Sequence, residues 1–335
     1  MEKRIFLEWY DINMLEYGSE EMFFEDTYFE GEERDGFYIA PMMKRAWAAQ
    51  LEVLKEIDSI CVKYGIDYFA EWGTILGAIR HQGIIPWDDD IDIGMKRADY
   101  IKFCNVVEKE LPQGYEFLSV EKDNTWSESL SRVVNDTVVP LRGEKLNRFH
   151  GFPYLAGIDI FVIDNIPPNE GEESILRNLY CATFGLAQKW DEEGYSEEEK
   201  MHDLRVVEEL CNVKLDESKS FQRQLFILGD RIASMYWDIG AGAKEVAIMH
   251  RLAENPLFKV PASCYESTVR VPFENTTIPI PVGYDAILTL YYGNDYMIPK
   301  QGGAGHDYPF YAKQQSELFA EYEKAGVEIP KYLIE

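Results

Sequence analysis

Four aspartates fall within the five residues from Asp88 to Asp92, in a segment that is otherwise apolar. Carboxylates this crowded repel one another unless a cation or hydrogen-bond donors compensate their charge. If Ile91 and Ile93 lie on the buried face of a strand, side-chain alternation places Asp88, Asp90 and Asp92 together on the opposite face. Carboxylate oxygens in such a row suit Mg²⁺ or Mn²⁺. The segment therefore predicts a strand that presents a divalent-cation site.

A glycine-rich segment precedes this acidic row. Gly73, Thr74 and Gly77 provide two glycines and a hydroxyl where the backbone N–H groups of a helix start can hold a phosphate. Residues 82–86, Gln-Gly-Ile-Ile-Pro, predict a turn. We therefore expect a helix N-terminus and the acidic row to lie side by side.

Residues 73–100, GTILGAIRHQGIIPWDDDIDIGMKRADY, resemble the signature of the LicD family, which has the nucleotidyltransferase fold and is related to fukutin-type proteins. The similarity covers about residues 44–165 and 268–310, and includes a later acidic strand at 157–164. An isolated Asp-X-Asp pair is common by chance. The order of glycines, Arg-His, Pro-Trp and aspartates makes this match specific.

The resemblance implies a phosphotransferase that moves phosphocholine or a related phospho-alcohol from a CDP-linked donor to a sugar hydroxyl. It implies Mg²⁺ or Mn²⁺ as cofactor and a glycan acceptor, such as lipopolysaccharide, teichoic acid or another cell-surface glycan or its precursor. Two alternatives stay open: nucleotidyl transfer from an NTP to a sugar or protein, and a non-catalytic binding protein that keeps the fold. The products separate the two enzymes, because the first releases CMP and the second pyrophosphate.

The resemblance also assigns roles to residues. Asp90 and Asp92 are expected as catalytic metal ligands, and Asp88 as an additional ligand. Asp159, the third acidic position of the family, is expected as a metal ligand or as the general base. The residues expected at the donor phosphates are Gly73, Thr74, Gly77, Arg80, His81, Arg132 and His306. Arg80 and His81 have structural alternatives, a salt bridge to the acidic row and a simple hydrogen bond.

These motifs have other possible interpretations. An EF-hand calcium loop fails at its sixth position, where Ile93 replaces glycine, and at its twelfth, where Asp99 replaces glutamate. A solvated acidic turn is disfavoured because isoleucines interrupt the aspartates. Trp87 and Tyr292 are candidates for stacking a base or holding a choline ammonium by cation–π attraction, or for ordinary core packing.

Composition limits the classes of protein. A chain of 335 residues with 46% hydrophobic and 14% aromatic residues can bury a real core. Its formal net charge of −27 argues against a nucleic-acid partner, because such binding requires cations that neutralise phosphates. We expect a cytoplasmic protein with no integral membrane segment, since no apolar run is long enough. Five scattered cysteines predict buried free thiols.

We expect an α+β fold, a small nucleotidyltransferase-like mixed sheet flanked by helices, with a helical insertion. The expected regions are an acidic N-terminal extension (1–40), a catalytic core (41–169), the helical insertion (170–260) and a C-terminal segment that folds back on the core (261–335). Expected helices cover about 41–64 and 97–111, with a short one ending at His81; expected strands cover 67–71, 115–120, 129–134 and 157–163, and a helical pattern covers 170–255.

Overall fold

The computed structural model describes residues 21–123, 126, 128–136, 143–238, 243–302, 308–326 and 328–334. Its α-helices are α1 (Pro41–Tyr64), α2 (Trp72–Arg80), α3 (Arg97–Glu110), α4 (Gly143–Arg148), α5 (Glu170–Lys189), α6 (Glu197–Cys211), α7 (Phe221–Ala233), α8 (Met249–Glu254), α9 (Tyr284–Tyr292) and α10 (Ala312–Ala325). Its strands are β1 (Glu32–Arg34), β2 (Phe37–Ile39), β3 (Phe69–Ala70), β4 (Asp92–Lys96), β5 (Glu116–Leu118), β6 (Ser131–Val134), β7 (Gly157–Ile166), β8 (Glu245–Ile248), β9 (Val260–Pro261), β10 (Thr268–Phe273) and β11 (Thr276–Pro281).

A mixed seven-stranded sheet forms the centre of the molecule, in the order β3-β4-β7-β6-β5, with β8 beside β7 and β9 beside β8. The strands β4 and β7 are parallel, and the other pairs are antiparallel. The ten residues of β7 are long enough to pair with β6 along the first half and with β8 along the second. The α+β fold with a mixed sheet is therefore confirmed.

The helix α1 supports this sheet from one side. Its apolar stripe, which includes the fully buried Trp47 and Ile57, packs against β6, β7 and α3. Burying each such side chain contributes roughly 1.5–3 kcal/mol. The helix ends at Gly65, whose φ of 60° gives the left-handed cap that glycine adopts most readily. The helix predicted from periodicity is confirmed, including its end.

Residues 21–40 of the acidic extension pack on the core. Asp35 and Gly36, with φ of 48° and 75°, form the turn between β1 and β2, as an Asp-Gly pair favours. Lys44 of α1 pairs with Glu32, and Arg34 Nη1 lies 3.0 Å from a carboxylate oxygen of Glu274. This hairpin is thereby tied to both the first helix and the C-terminal part of the chain.

The insertion is helical over α5, α6 and α7, which pack on one another. A capping box between Ser196 and Glu199 fixes the start of α6. The expectation of a continuous helical pattern to about residue 255 was wrong, because residues 245–248 form strand β8. Three consecutive buried residues of β8 pair with β7, so tertiary pairing overrides a short ambiguous sequence pattern.

The C-terminal part packs against elements of the core. The hairpin β10–β11 contacts β3, and α9 contacts α2. All five cysteines are free, and burial was predicted correctly for Cys61 and Cys264 but wrongly for Cys181, which lies on an exposed face of α5. Across the described ranges we find no helix that combines the length and the apolar character needed to cross a bilayer.

Candidate active site

The acidic row lies between a turn and a strand. Residues 88–91 have no regular structure, and β4 begins only at Asp92. The strand alternation expected for Asp88 and Asp90 was therefore wrong. The turn instead brings carboxylate oxygens of Asp88, Asp89 and Asp90 within 4.8 Å of one another. Asp89 was not among the predicted ligands, although its position inside the acidic run could have indicated that it belongs to this group.

Side chains of α1 hold the backbone of this row. Trp47 Nε1 donates to the carbonyl of Asp88 at 3.2 Å, and Gln50 Nε2 donates to the carbonyl of Asp89 at 2.6 Å. Asp89 is fully buried, and its carboxylate accepts from the backbone N–H of Phe310. Asp88 and Asp90 are only half-buried. The three carboxylates thus differ, with Asp89 tied to the C-terminal segment and the other two facing more open space.

The first turn of α2 adjoins the row, as the sequence predicted. A Cβ added at Gly73 would lie 2.2 Å from Asp88 Oδ2, so a side chain at this position would displace the Asp88 carboxylate. The hydroxyl of Thr74 accepts from the backbone N–H of Asp92 at 2.8 Å. Gly73 and Thr74 therefore fix the helix N-terminus against the carboxylates, where the partial positive charge of the helix is favourable.

Gly77 lies in the middle of α2 and not at its start. A Cβ at this position would come within 2.4 Å of the carbonyl oxygen of Gly83. The structure thus gives Gly77 a packing role, because its missing side chain lets the 82–86 turn cross the helix. The turn then leads directly into the acidic row.

Arg80 and His81 lie at the C-terminal end of α2. Arg80 Nη1 donates to the carbonyl of Tyr296 at 2.9 Å, and its guanidinium lies 5.9 Å from the ring centre of Trp87. His81 Nε2 lies 3.2 Å from Asp35 Oδ2 of the β1–β2 turn. Partial burial lowers the pKa of His81, and the neighbouring Arg80 lowers it further. Both residues therefore tie α2 to the hairpin and the C-terminal segment.

Three strands bring Asp92, Asp159 and Arg132 side by side. Asp159 pairs with Asp92 across the parallel β4–β7 ladder, and with Arg132 across the antiparallel β6–β7 ladder. Arg132 binds Asp159 through two N–H groups, with Nη2 at 2.8 Å from Oδ2. This bidentate geometry is typical of a strong ion pair. It leaves each oxygen of Asp159 a further lone pair for another partner.

The row carries more negative charge than its surroundings compensate. Burial, followed by the charges of Asp90 and Asp89, raises the pKa of Asp88 to about 8. Burial and the charges of Asp90 and Asp159 raise the pKa of Asp92 well above its usual range, although Arg132 opposes the shift. Full ionisation therefore requires added positive charge. The oxygen-only donor set and its spacing fit Mg²⁺ or Mn²⁺.

Glu71, just before α2, was missed as a site element. Its buried carboxylate accepts from the hydroxyls of Tyr265 at 2.6 Å and Tyr291 at 3.2 Å. Burial raises its pKa to about 7. Its backbone N–H donates to the carbonyl of Asp92 at 3.0 Å. The sequence showed only that a carboxylate lies next to the glycine-rich segment. It did not indicate which residues this carboxylate contacts.

Aromatic residues of the C-terminal part face the acidic row. Desolvation and the charges of Asp88 and Asp92 raise the pKa of Tyr292. Desolvation and the charges of Asp89 and Asp88 raise the pKa of Tyr308 to about 12. His306 lies outside the described residues. Of the two aromatic residues considered from the sequence, Tyr292 is thus near the carboxylates, and it is 39% exposed.

Trp87, the other aromatic residue considered from the sequence, packs beside the acidic row. Its ring meets that of Phe37 edge-on with the centroids 6.5 Å apart, and that of His81 with the centroids 6.0 Å apart. Phe37 belongs to β2, so the N-terminal hairpin forms part of the surroundings of the site.

Three relatives are similar to parts of the chain. The chain is 32% identical over 120 residues to the lipopolysaccharide cholinephosphotransferase LicD of Haemophilus influenzae, which covers 35% of this chain and 42% of that protein. It is 44% identical over 64 residues to an uncharacterized protein of Rickettsia typhi, covering 19% and 21% of the two chains. It is 40% identical over 48 residues to ribitol 5-phosphate transferase FKRP of Homo sapiens, covering 14% and 10%.

The chain thus spans less than half the length of these relatives. The model of the LicD/FKTN/FKRP nucleotidyltransferase domain matches residues 65–162, the range that contains α2, the acidic row, Arg132 and Asp159. The similarity of the chain to this family is therefore shown for residues 65–162.

Proposed function

We propose that the protein transfers phosphocholine or a related phospho-alcohol from a CDP-linked donor to a sugar hydroxyl of a cell-surface glycan or its precursor, with Mg²⁺ or Mn²⁺ as cofactor. The observation that supports this most is the group of carboxylates fixed against the first turn of α2. A diphosphate needs both a cation and N–H donors, and the two lie together here. Two relatives with related domains are named for cholinephosphate and ribitol 5-phosphate transfer.

Asp88, Asp90 and Asp92 would hold the cation, with Asp159 as a further ligand or base. The cation, when bound, would neutralise charge on the diphosphate oxygens. Asp89 contributes through position, because its carboxylate anchors Phe310. The other residues orient this group: Gly73 by its close approach and Thr74 through its hydrogen bond to the backbone of Asp92.

The reaction we propose is a single displacement at phosphorus. The acceptor oxygen forms a bond to the phosphorus that carries the alcohol, while the bond from that phosphorus to the oxygen bridging to the cytidine-bearing phosphate breaks. CMP leaves with the bridging oxygen and its electron pair, and the acceptor proton passes to a carboxylate. We assign this proton to Asp159, which retains lone pairs beside its ion pair with Arg132.

The products provide the test. Purified protein is incubated with CDP-choline, CDP-ribitol or CTP and a set of methyl glycosides as acceptors, with Mg²⁺ or after chelation, and nucleotide products are separated by chromatography. The proposal predicts metal-dependent release of CMP from a CDP-alcohol and no release of pyrophosphate from CTP. Pyrophosphate release would instead support nucleotidyl transfer, which the domain description keeps as the second candidate. Protein that turns over neither class of nucleotide would point to a binding function.

A second test concerns the base. Asp159→Ala should reduce the single-turnover rate at saturating donor at least as much as it weakens donor binding, since a base acts in the transition state. Binding of the CDP-alcohol is measured by calorimetry and the rate by rapid quench. A sharp loss of affinity with an unchanged rate at saturation would make Asp159 a ligand or support and not the base.

A further inference from the structure

A cleft opens beside the candidate active site, between β7 and the helical insertion. Its empty volume is about 480 Å³ when the part that is open to solvent is counted, so the cleft is partly open and not an enclosed cavity. The residues that matter here are Leu130, Phe161, Phe184, Tyr180, Asp230 and His250. They come from both the sheet and the insertion, so the cleft exists only because the insertion packs on the core.

The cleft is continuous with the catalytic face of the sheet. Phe161 follows Asp159 by two residues on β7, so both side chains lie on the same face. Across the ladder Phe161 pairs with Gly94, just as Asp159 pairs with Asp92. Trp72, the first residue of α2, meets the Phe161 ring edge-on at 5.7 Å between centroids. The cleft therefore begins one side-chain step beyond Asp159, at Phe161, whose ring Trp72 contacts.

His250 is the polar group of this cleft that other contacts do not explain. Its ring lies 5.9 Å from Phe161 and 6.4 Å from Phe184, centroid to centroid. Among the described residues its ring nitrogens have no hydrogen-bond partner. Burial, and then the charge of Arg251, lowers the pKa of His250 to about 4. The neutral imidazole thus keeps one donor and one acceptor nitrogen available.

The chemistry of the lining indicates the kind of ligand. Aromatic rings of Phe161, Phe184 and Tyr180 match an uncharged ligand with apolar faces, and a neutral imidazole matches hydroxyl groups that both donate and accept. Asp164 and Asp230, which hold Arg97 at one end of the cleft, disfavour a nucleoside diphosphate there. A sugar ring meets all of these conditions.

We propose that this cleft binds the acceptor sugar. The aromatic side chains of the cleft would contact one face of the sugar ring, and His250 would form a hydrogen bond to a hydroxyl next to the one that reacts. The site would place the attacking oxygen beside Asp159, opposite the donor on the α2 side. This inference rests on the proposed transfer to a glycan, and it adds the place where the acceptor binds and the residues that bind it. It also gives the helical insertion a function in acceptor choice.

The test separates acceptor from donor. Binding of methyl glycosides of common hexoses and N-acetylhexosamines is followed by saturation-transfer NMR, and CDP-choline binding by calorimetry in the presence of Mg²⁺. The variants are His250→Ala and Phe184→Leu, with His202→Ala as the matched control, because His202 is an exposed histidine on α6. Melting temperatures show that each variant is folded.

We expect at least one methyl glycoside to bind the wild type, and His250→Ala to weaken that binding about tenfold, the loss expected for one hydrogen bond to a bound ligand. CDP-choline affinity should stay within about twofold, and His202→Ala should match the wild type in both assays. Absence of glycoside binding to the wild type, or equal binding to His250→Ala, would overturn the inference. Glycoside binding without CMP release from any CDP-alcohol would refute the proposed function and leave the sugar site standing.

Discussion

Two groups of carboxylates in this protein differ in how their charge is compensated. In the Arg97 cluster (Arg97, Asp164 and Asp230), Arg97 Nε and Nη2 donate to Asp164 at 2.7 and 2.8 Å, and Nη1 donates to Asp230 at 2.8 Å. In the acidic row, burial and mutual repulsion raise the pKa values of Asp88 and Asp92. Charge that is compensated within the protein holds elements together, whereas charge that is not compensated is available for a cation.

The largest expected effect is on the acidic row. Asp90→Asn and Asp92→Asn should each lower CMP release by about 10³-fold or more, equivalent to about 4 kcal/mol, because a metal ligand is lost. Their metal-free melting temperatures should stay equal to the wild type or rise, since each substitution removes repulsion. Activity and thermal unfolding are measured on the same samples, with Asp203→Asn of α6 as the control. Near wild-type turnover at limiting Mg²⁺ would remove these residues from the site.

The Arg97 cluster should respond in the opposite manner. Arg97→Met leaves Asp164, which is 1% exposed, without its cation, and we expect a loss of about 3–5 kcal/mol in the free energy of unfolding. Urea titration at neutral pH measures this loss. An Arg97→Met protein as stable as the wild type would show that the two carboxylate groups do not differ as described. Adding Asp164→Asn in the same chain should restore part of the stability, because it removes the uncompensated charge.

Glu71 provides a pH test of uncompensated charge next to the row. Its pKa is raised from 4.5 to about 7, so the folded state binds its proton more tightly than the unfolded state does. Its contribution to stability is complete below pH 4.5 and is lost as the pH rises through 7. Glu71→Gln should remove this slope and gain on the order of 3 kcal/mol at pH 8 relative to the wild type. An unchanged slope in the variant would contradict the assignment.

Arg80 should give the smallest effect. If its guanidinium meets donor phosphate oxygens, Arg80→Lys loses about 1–3 kcal/mol of donor binding although the charge is kept. If it serves only to anchor the Tyr296 carbonyl, the variant lowers the melting temperature and leaves the dissociation constant of the donor unchanged. Calorimetry of the CDP-alcohol, at a temperature where both proteins are folded, decides between the two roles.

Much of the fold could be predicted from local pattern. The stripe of α1 and its glycine cap follow from residues close in sequence, and so does the adjacency of Gly73 and the acidic row. The strand at 245–248 could not be predicted, because its four residues form a strand only through their pairing with β7.

The site was only partly predictable for the same reason. The aspartates of the row were visible as a run, but their grouping arises from a turn and not from strand alternation. The pairing of Asp159 with Arg132, which lie 27 positions apart, depends on strand register. The contacts of Asp35 with His81 and of Phe310 with Asp89 join distant segments, and the sequence carries no local signal for them.

The most direct test of the central claim is a titration of metal-free protein with Mn²⁺, followed by electron paramagnetic resonance of the unbound ion, with and without CDP-choline. The account predicts saturable binding that CDP-choline strengthens, that Asp90→Asn and Asp92→Asn abolish, and that Asp203→Asn leaves intact. Binding of Mn²⁺ that is equal in the wild type and in both acidic-row variants would contradict the claim that the carboxylates of the acidic row form the metal site.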